Sequence, residues 1–215
     1  MSLPILSSHG PRPRGMQPMP GGAAAGIGIA RGRVHEFCGP ARVALAVQVM
    51  GAGTGPVIWI SPSWQMERLF PDGVARFADP GRIIAVRVRR VEEALWAMEE
   101  ALRCGAVPLV VAELPTLPAL TPVRRLHLAA EAGAEVTHHS GHGTAPLGIL
   151  LTAGEGGAPG VESRWRMRPL PAPSTLQKDP GQVWHLTRER ARIAPPAAWH
   201  LRRSDDAALL EPVAV

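Results

Sequence analysis

Lysine is nearly absent from this chain. Lys178 is the only one, although 23 basic residues give a net charge of +5. The positive charge is therefore arginine, whose planar fork suits phosphate, carboxylate and aromatic partners better than an ammonium does. A GC-rich genome imposes the same bias. Cysteine is also scarce. Cys38 and Cys104 sit in apolar segments without the spacing of a disulfide framework or a zinc site. They read as small core residues in a reducing compartment. No stretch approaches the ~20 uninterrupted apolar residues that a membrane helix needs. The first residues, MSLPILSSHGPRPRG, lack a charged start followed by an apolar run, so they do not read as a secretory signal. A cytoplasmic protein is expected. No G-x-S-x-G nucleophile motif occurs.

Against these absences stands a chain of 215 residues, 46% hydrophobic, which suffices for one domain with a sizeable core. The 23 prolines and 23 glycines point to loose ends. Residues 1–30, with Pro11, Pro13, Pro18 and Pro20 and a glycine–alanine run, read as a flexible leader. From Arg31 short apolar runs alternate with helical periods. Strands are expected over 56–61, 82–88 and 107–114. A short helix is expected over 65–70, stopped by Pro71-Asp72-Gly73. The clearest helix is 91–104, where Val91, Leu95, Met98 and Leu102 form one stripe. Glu92 and Glu93 open it, Arg103 closes it and Gly105 stops it. Thr121-Pro122 opens a further helix expected to run to Gly133. Then come a His/Gly-rich loop over 134–146, a strand over 147–152 and a glycine loop over 153–160. Segments 162–170, 182–192 and 198–203 alternate and read as antiparallel strands. The expectation is an α/β domain over 31–203: a mostly parallel sheet flanked by helices, with an antiparallel C-terminal edge. Residues 204–215 read as a tail.

The stretch from Gly32 to Gly51, GRVHEFCGPARVALAVQVMG, has the order strand, glycine turn, apolar helix. That is the shape of a phosphate-binding loop, in which backbone N–H groups at a helix start cradle an anion. Its chemistry is missing. Gly39 and Pro40 make the turn, Arg42 is the only cation nearby, and Val43 stands where a hydroxyl is needed. Weak ATP binding through the Gly39 amides and Arg42 is the most this loop offers, and no cofactor is expected.

Three other patterns carry chemistry. Arg164, Arg166 and Arg168 alternate with Trp165 on one strand, and Arg188, Arg190 and Arg192 repeat the pattern on the next. Such a hairpin suits DNA or an acidic protein surface; a solvated outer face is the plainer reading. His138, His139 and His142 lie together without a partnering carboxylate or cysteine, so no metal site is expected. Gln65 to Phe70, QMERLF, loosely resembles a sliding-clamp-binding peptide; an ordinary amphipathic helix explains it as well.

Over 34–121 the chain resembles the RecA-like recombinase core. Gly39-Pro40 stands at the loop, 45–50 at the following helix and Trp59-Ile60-Ser61 at the second strand. Leu102 to Val107 resembles the helix-to-strand passage, and Val110 to Leu114 with Leu120-Thr121-Pro122 the Walker B strand and exit. More narrowly, GRVHEFCGP, ALWAMEEALRCGAVPLVVAEL, RRLHLAAEAG and SRWRM are similar to the ImuA family, RecA-related proteins that also carry a SulA-like label. The resemblance implies a part in SOS-induced translesion synthesis and mutagenesis after DNA damage. Its implied partners are RecA, an ImuB-like Y-family protein and an error-prone C-family polymerase, with DNA as a further contact near the nucleoid. A RecA-like ATPase would need the loop lysine and hydroxyl, a water-activating acid after the second strand and a Walker B acid. This chain has Arg42-Val43, Ser61-Pro62-Ser63-Trp64, and Ala112 with Glu113 one residue on. A non-catalytic accessory protein is therefore expected. A divergent DNA-repair ATPase is the second reading and a SulA-like division inhibitor the third.

Overall fold

The computed structural model describes residues 15–141, 143–171, 182–203 and 208–213. Its frame is a nine-stranded sheet, and the residues that build its middle are apolar on both sides. In β6 (Leu109–Leu114) Leu109 and Val111 enter one core, while Val110, Ala112 and Leu114 enter the other. β7 (Leu147–Thr152) is buried along its whole length in the same alternating way. Two-sided burial requires cover on both faces, as parallel sheets do. Around these strands lie β3 (Val34–Cys38), β4 (Val57–Pro62), β5 (Ile83–Val88) and β8 (Ser163–Pro169). The order is β8-β3-β7-β6-β4-β5, all parallel. β9 (Gln182–Ala191), β10 (Ala197–Arg203) and β11 (Ala208–Pro212) extend the sheet beyond β8 as antiparallel neighbours. The expected α/β architecture with an antiparallel C-terminal edge is present.

One face carries α1 (Arg42–Gly51) and α2 (Pro71–Ala75) and the other α3 (Val91–Cys104) and α4 (Leu120–Ser140). α3 begins where Glu93 accepts from the Arg89 and Arg90 amides and ends at Gly105, with φ +70°. α3 and α4 touch at Gly133, where an added Cβ would stand 1.9 Å from the Leu102 carbonyl oxygen. The C-terminal extension rests on the α1 side: Trp199 stacks on Trp165, Trp184 meets Phe77 edge-on, and Arg203 lies over the Phe77 ring. No described helix is long and apolar enough to cross a membrane.

Four local expectations are corrected. The leader is not flexible through residue 30. β1 (Met16–Pro18) and β2 (Gly28–Ala30) form an antiparallel hairpin whose Met19 and Ile29 are buried in the α1-side core. Arg31 pins it by donating to the Pro108 and Ala145 carbonyls and to Gln17. The expected tail contains β11, paired with β10, and Leu210 packs on the core. The segment 65–70 is not a helix. Arg87 donates to the carbonyls of Ser63 and Gln65 and ties this backbone to the sheet. Pro71 starts α2 instead of stopping a helix, as the fixed φ of proline allows at a first helical position. α4 runs through Gly133 to Ser140, because that glycine is a contact with α3 and not a stop.

His35 shows how tightly β2, β3 and β8 are joined. It is buried, its Nε2–H donates to the Ala30 carbonyl, and Nδ1 accepts from the Ser163 hydroxyl. The carbonyl can only accept, which fixes the tautomer. Ser163 Oγ in turn accepts from the Trp165 indole N–H at 2.8 Å. Gln48 in α1 is the opposite case: both its side-chain amide atoms are buried without a partner among the described residues.

Two measurements follow. Burial pushes the His35 imidazole down to about 4. The unfolded chain takes up this proton below ~6.5, so stability falls as pH drops from there towards 4, by ~3 kcal/mol in full. His127 is also lowered by burial and adds in the same direction. Urea titrations at stepped pH should show this slope, and His35→Gln should flatten it. Gln48→Leu should raise stability by about 1 kcal/mol or more, because it removes two unpaired polar atoms at similar volume. An unchanged urea midpoint would count against an orphaned amide there.

Candidate functional site

The Gly39 loop lies between the end of β3 and the start of α1. Gly39 has φ +84°, and an added Cβ would meet the Met167 carbonyl oxygen at 2.6 Å. The position requires glycine on both counts. The amides that would face an anion are engaged. Gly39 N–H donates to the Gly154 carbonyl at 2.9 Å and Ala41 N–H to the Met167 carbonyl at 3.0 Å. Arg42 N–H turns back to the Gly39 carbonyl, and the Arg42 guanidinium donates to that same oxygen at 3.3 Å. No side chain caps α1 and no acid lies in its first turn. Gly39, Pro40 and Arg42 thus stand together, but carbonyl oxygens of the β7–β8 loop and of β8 occupy the space over them.

A buried carboxylate holds that β7–β8 loop in place. Glu36, in the middle of β3, has no exposed surface. Its Oε1 accepts from Thr152 Oγ1 at 2.6 Å and from the Gly157 and Ala158 amides at 2.9 and 3.1 Å. Its Oε2 accepts from the Ala158 amide and from Arg164 Nε. Arg164 also donates to the Ala158 carbonyl. A carboxylate without water needs this many donors and a countercharge. Cys38, one step along on the same side, donates to the Glu155 and Trp165 carbonyls. Burial first, then the Glu36 charge, pushes its thiol up to about 11, so it is no nucleophile at neutral pH.

Ala112, at the Walker B position, is buried among apolar side chains on the α3–α4 side. Glu113 points to the opposite face, as alternation demands. There it accepts from the Trp59 indole N–H at 2.6 Å and the Gln65 amide at 2.9 Å. Ser61, near the end of β4, accepts from Arg87 at 2.9 Å. Trp59, Ser61, Arg87 and Glu113 border a cavity of about 370 Å³ that runs along this face of β4 and β5 from Ile83, the first residue of β5, and is walled by Leu69, Val74 and Ile83.

The C-terminal arginines do not form one charged face. Trp165 is 1% exposed, and Arg188 lies over the rings of Trp165 and Trp199 at 5.6 and 5.3 Å. Trp165 is thereby closed off on the apolar side, which corrects its reading as a contact residue; Arg188 is half-buried, continues the side on which β9 packs Leu186 and Trp184, and donates to the Pro195 carbonyl at 2.9 Å. Arg164 is bound to Glu36, Arg166 to Glu155 and Glu189, and Arg192 lies 4.0 Å from Glu162. Arg168 and Arg190 are exposed, with no ion-pair partner among the described residues. His138 and His139 sit on the last turn of α4 instead of in a loop, and His142 lies outside the described residues. Among the described residues no group of three His, Cys, Asp or Glu could hold a metal. Cys104 is exposed at the end of α3, a correction to its core reading. The clamp-peptide reading of QMERLF is not supported by the geometry: Gln65 is spent on Glu113 and Leu69 packs inward, while Trp64, Met66 and Phe70 point out.

Glu36 and His35 escaped the sequence reading, as did the partners of Glu113. A charged residue inside the apolar strand VHEFC was the available signal, since a buried charge must have a partner elsewhere. Glu36→Gln should cost about 3–5 kcal/mol, because it strips Arg164 of its countercharge and turns a donor towards two amides. Glu211→Gln, which breaks the exposed Arg202 pair, should cost about 0–1 kcal/mol. Equal urea midpoints for the two variants would refute the assignment.

No family model matches the chain. Protein ImuA of Caulobacter vibrioides is 30% identical over 209 residues, in strain NA1000 / CB15N and in strain ATCC 19089 / CIP 103742 / CB 15. The match covers 88% of this chain and 82% of the relative. Among solved structures the RadB recombinase superposes with a TM-score of 0.59 at 14% identity, over 90% of this chain and 96% of that one. That likeness shows a RecA-like fold. By the extent and identity of the match, the chain belongs to the ImuA family.

Proposed function

We propose that the chain is a non-catalytic accessory protein in SOS-induced translesion DNA synthesis and mutagenesis. It acts through contacts with RecA, an ImuB-like Y-family protein and an error-prone C-family polymerase. Family membership supports the setting. One observation carries the non-catalytic part: the Gly39 and Ala41 amides are closed by the Gly154 and Met167 carbonyls. A phosphate would have to displace two oxygens that bear partial negative charge, with no lysine in the loop to offset the repulsion. Ala112 offers no carboxylate for a metal. Hydrolysis would thus lack both its anion cradle and its charge-stabilising groups, each worth orders of magnitude in rate. Arg168 and Arg190 are the exposed charges for a DNA contact.

Two experiments test this reading. Thermal unfolding with ATP and Mg²⁺ should leave Tm unchanged; a rise that Arg42→Ala abolishes would restore the ATPase alternative. Purified RecA and ImuB-like protein should each be retained by the immobilised chain. Failure of both contacts would overturn the accessory role.

A further inference from the structure

Most acidic side chains in the described residues have a basic partner or lie fully in solvent. Glu36, Glu93, Glu99, Glu131, Glu162 and Glu189, all at least partly buried, are each paired with an arginine. Glu113 is the exception. It is partly buried, yet its only donors among the described residues are the neutral Trp59 indole and Gln65 amide. Each carboxylate oxygen keeps a further acceptor site. Glu67, also without an ion pair among the described residues, lies on the same cavity. Two arginines border the cavity too. Arg87 is spent on Ser61 Oγ and the Ser63 and Gln65 carbonyls, and exposed Arg68 has no acceptor among the described residues. The remaining wall is apolar, built by Trp59, Leu69, Val74 and Ile83.

We infer that this cavity is a binding site for an arginine side chain of a protein partner, its guanidinium on Glu113 and its aliphatic stem along the apolar wall. Three properties select that occupant. A partly desolvated carboxylate with free acceptor sites is completed by a cation with paired donors, which a guanidinium presents as a fork. An apolar passage to the carboxylate suits a side chain with a methylene stem and a charged head. The cavity volume of about 370 Å³ admits one long side chain with its flanking backbone at the mouth. There Arg68 would meet an acidic neighbour or the C-terminal carboxylate of the partner segment. The segment that brings Glu67, Arg68 and Leu69 to the cavity also displays Trp64, Met66 and Phe70, 54%, 93% and 70% exposed. These are the anchor types found at protein interfaces. The site uses no residue of the Gly39 loop, so its test is independent of ATP binding.

The Trp59 indole N–H is a built-in reporter, because it donates to Glu113. In ¹⁵N–¹H spectra of the full chain, acetyl-Ala-Arg-Ala-amide should shift this resonance saturably. The citrulline peptide, isosteric and neutral, should not. Glu113→Gln should weaken the arginine peptide at least tenfold, and Glu67→Gln should weaken it less. The Glu67→Gln arm keeps the test readable if the Glu113→Gln spectrum shows loss of fold. Equal shifts with the citrulline peptide, or no shift with either, would overturn the site. Agmatine binding as tightly as the arginine peptide would overturn the protein source in favour of a free guanidinium compound.

Discussion

A single buried carboxylate dictates the arrangement at the carboxyl ends of the central strands. Glu36 cannot sit in β3 uncompensated, and water does not reach it. It is completed from three directions: Thr152 at the end of β7, the Gly157 and Ala158 amides, and Arg164 on β8. Arg164 stands opposite Glu36 in the β3–β8 pairing, so the ion pair and the strand register support one another. Once the β7–β8 loop is drawn in by these bonds, the Gly154 carbonyl meets the Gly39 amide and β8 brings the Met167 carbonyl to Ala41. The filled anion cradle is thus a consequence of the charge inside the strand. Backbone amides do bind an anion here, but the anion is the chain's own.

The parts legible in the sequence are those where local preference and tertiary packing agree. α3 has its stripe, its acidic first turn and its terminal glycine, and it was placed to the residue. β6 and β7 were legible because short continuous apolar runs bounded by glycine or proline read as buried strands. What stayed hidden depended on contacts distant in sequence. Gly133 reads as a helix stop until Leu102 is seen against it. QMERLF has helical spacing, yet Arg87 and Glu113, 22 and 48 residues away from Gln65, hold its first residue out of a helix. The hairpin at Met16 has strands of three residues, too short for alternation to register, and its burial comes from α1 and β11 closing over it.

The candidate site was legible as an absence and not as a geometry. Missing lysine, hydroxyl and acids can be read from residue identity. Which groups took their place cannot, because Gly154 and Met167 contribute through backbone carbonyls that carry no sequence signature. The arginine strands misled for a related reason. Alternation correctly put Arg164, Arg166 and Arg168 on one side of β8, but Glu36, Glu155 and Glu189 come from other strands and loops and neutralise two of them. The irregular register between Arg164 and Trp165 accompanies Arg188 lying over the tryptophans instead of beside the other arginines.

These neutralisations bear on where the net charge can act. An arginine held by a carboxylate contributes little field beyond the pair, since the two charges cancel over a distance shorter than the ~8–10 Å screening length. The basic excess is therefore expressed by the unpaired residues, Arg68, Arg168 and Arg190 among them. They lie on different parts of the molecule: Arg168 on β8 and Arg190 on its antiparallel neighbour β9, Arg68 on the loop after β4. Arg68 on one side and Arg168 with Arg190 on the other do not by themselves make a continuous phosphate track of the kind that gives strong salt-dependent nucleic-acid binding. They are better suited to separate contacts, each supported by apolar neighbours. Around Arg68 those neighbours are present in Trp64, Met66 and Phe70, exposed on a non-helical segment whose start Arg87 fixes to the sheet through the Ser63 and Gln65 carbonyls. Fixing a loop in advance lowers the entropy lost on association, so a small exposed ridge can contribute more than its area suggests.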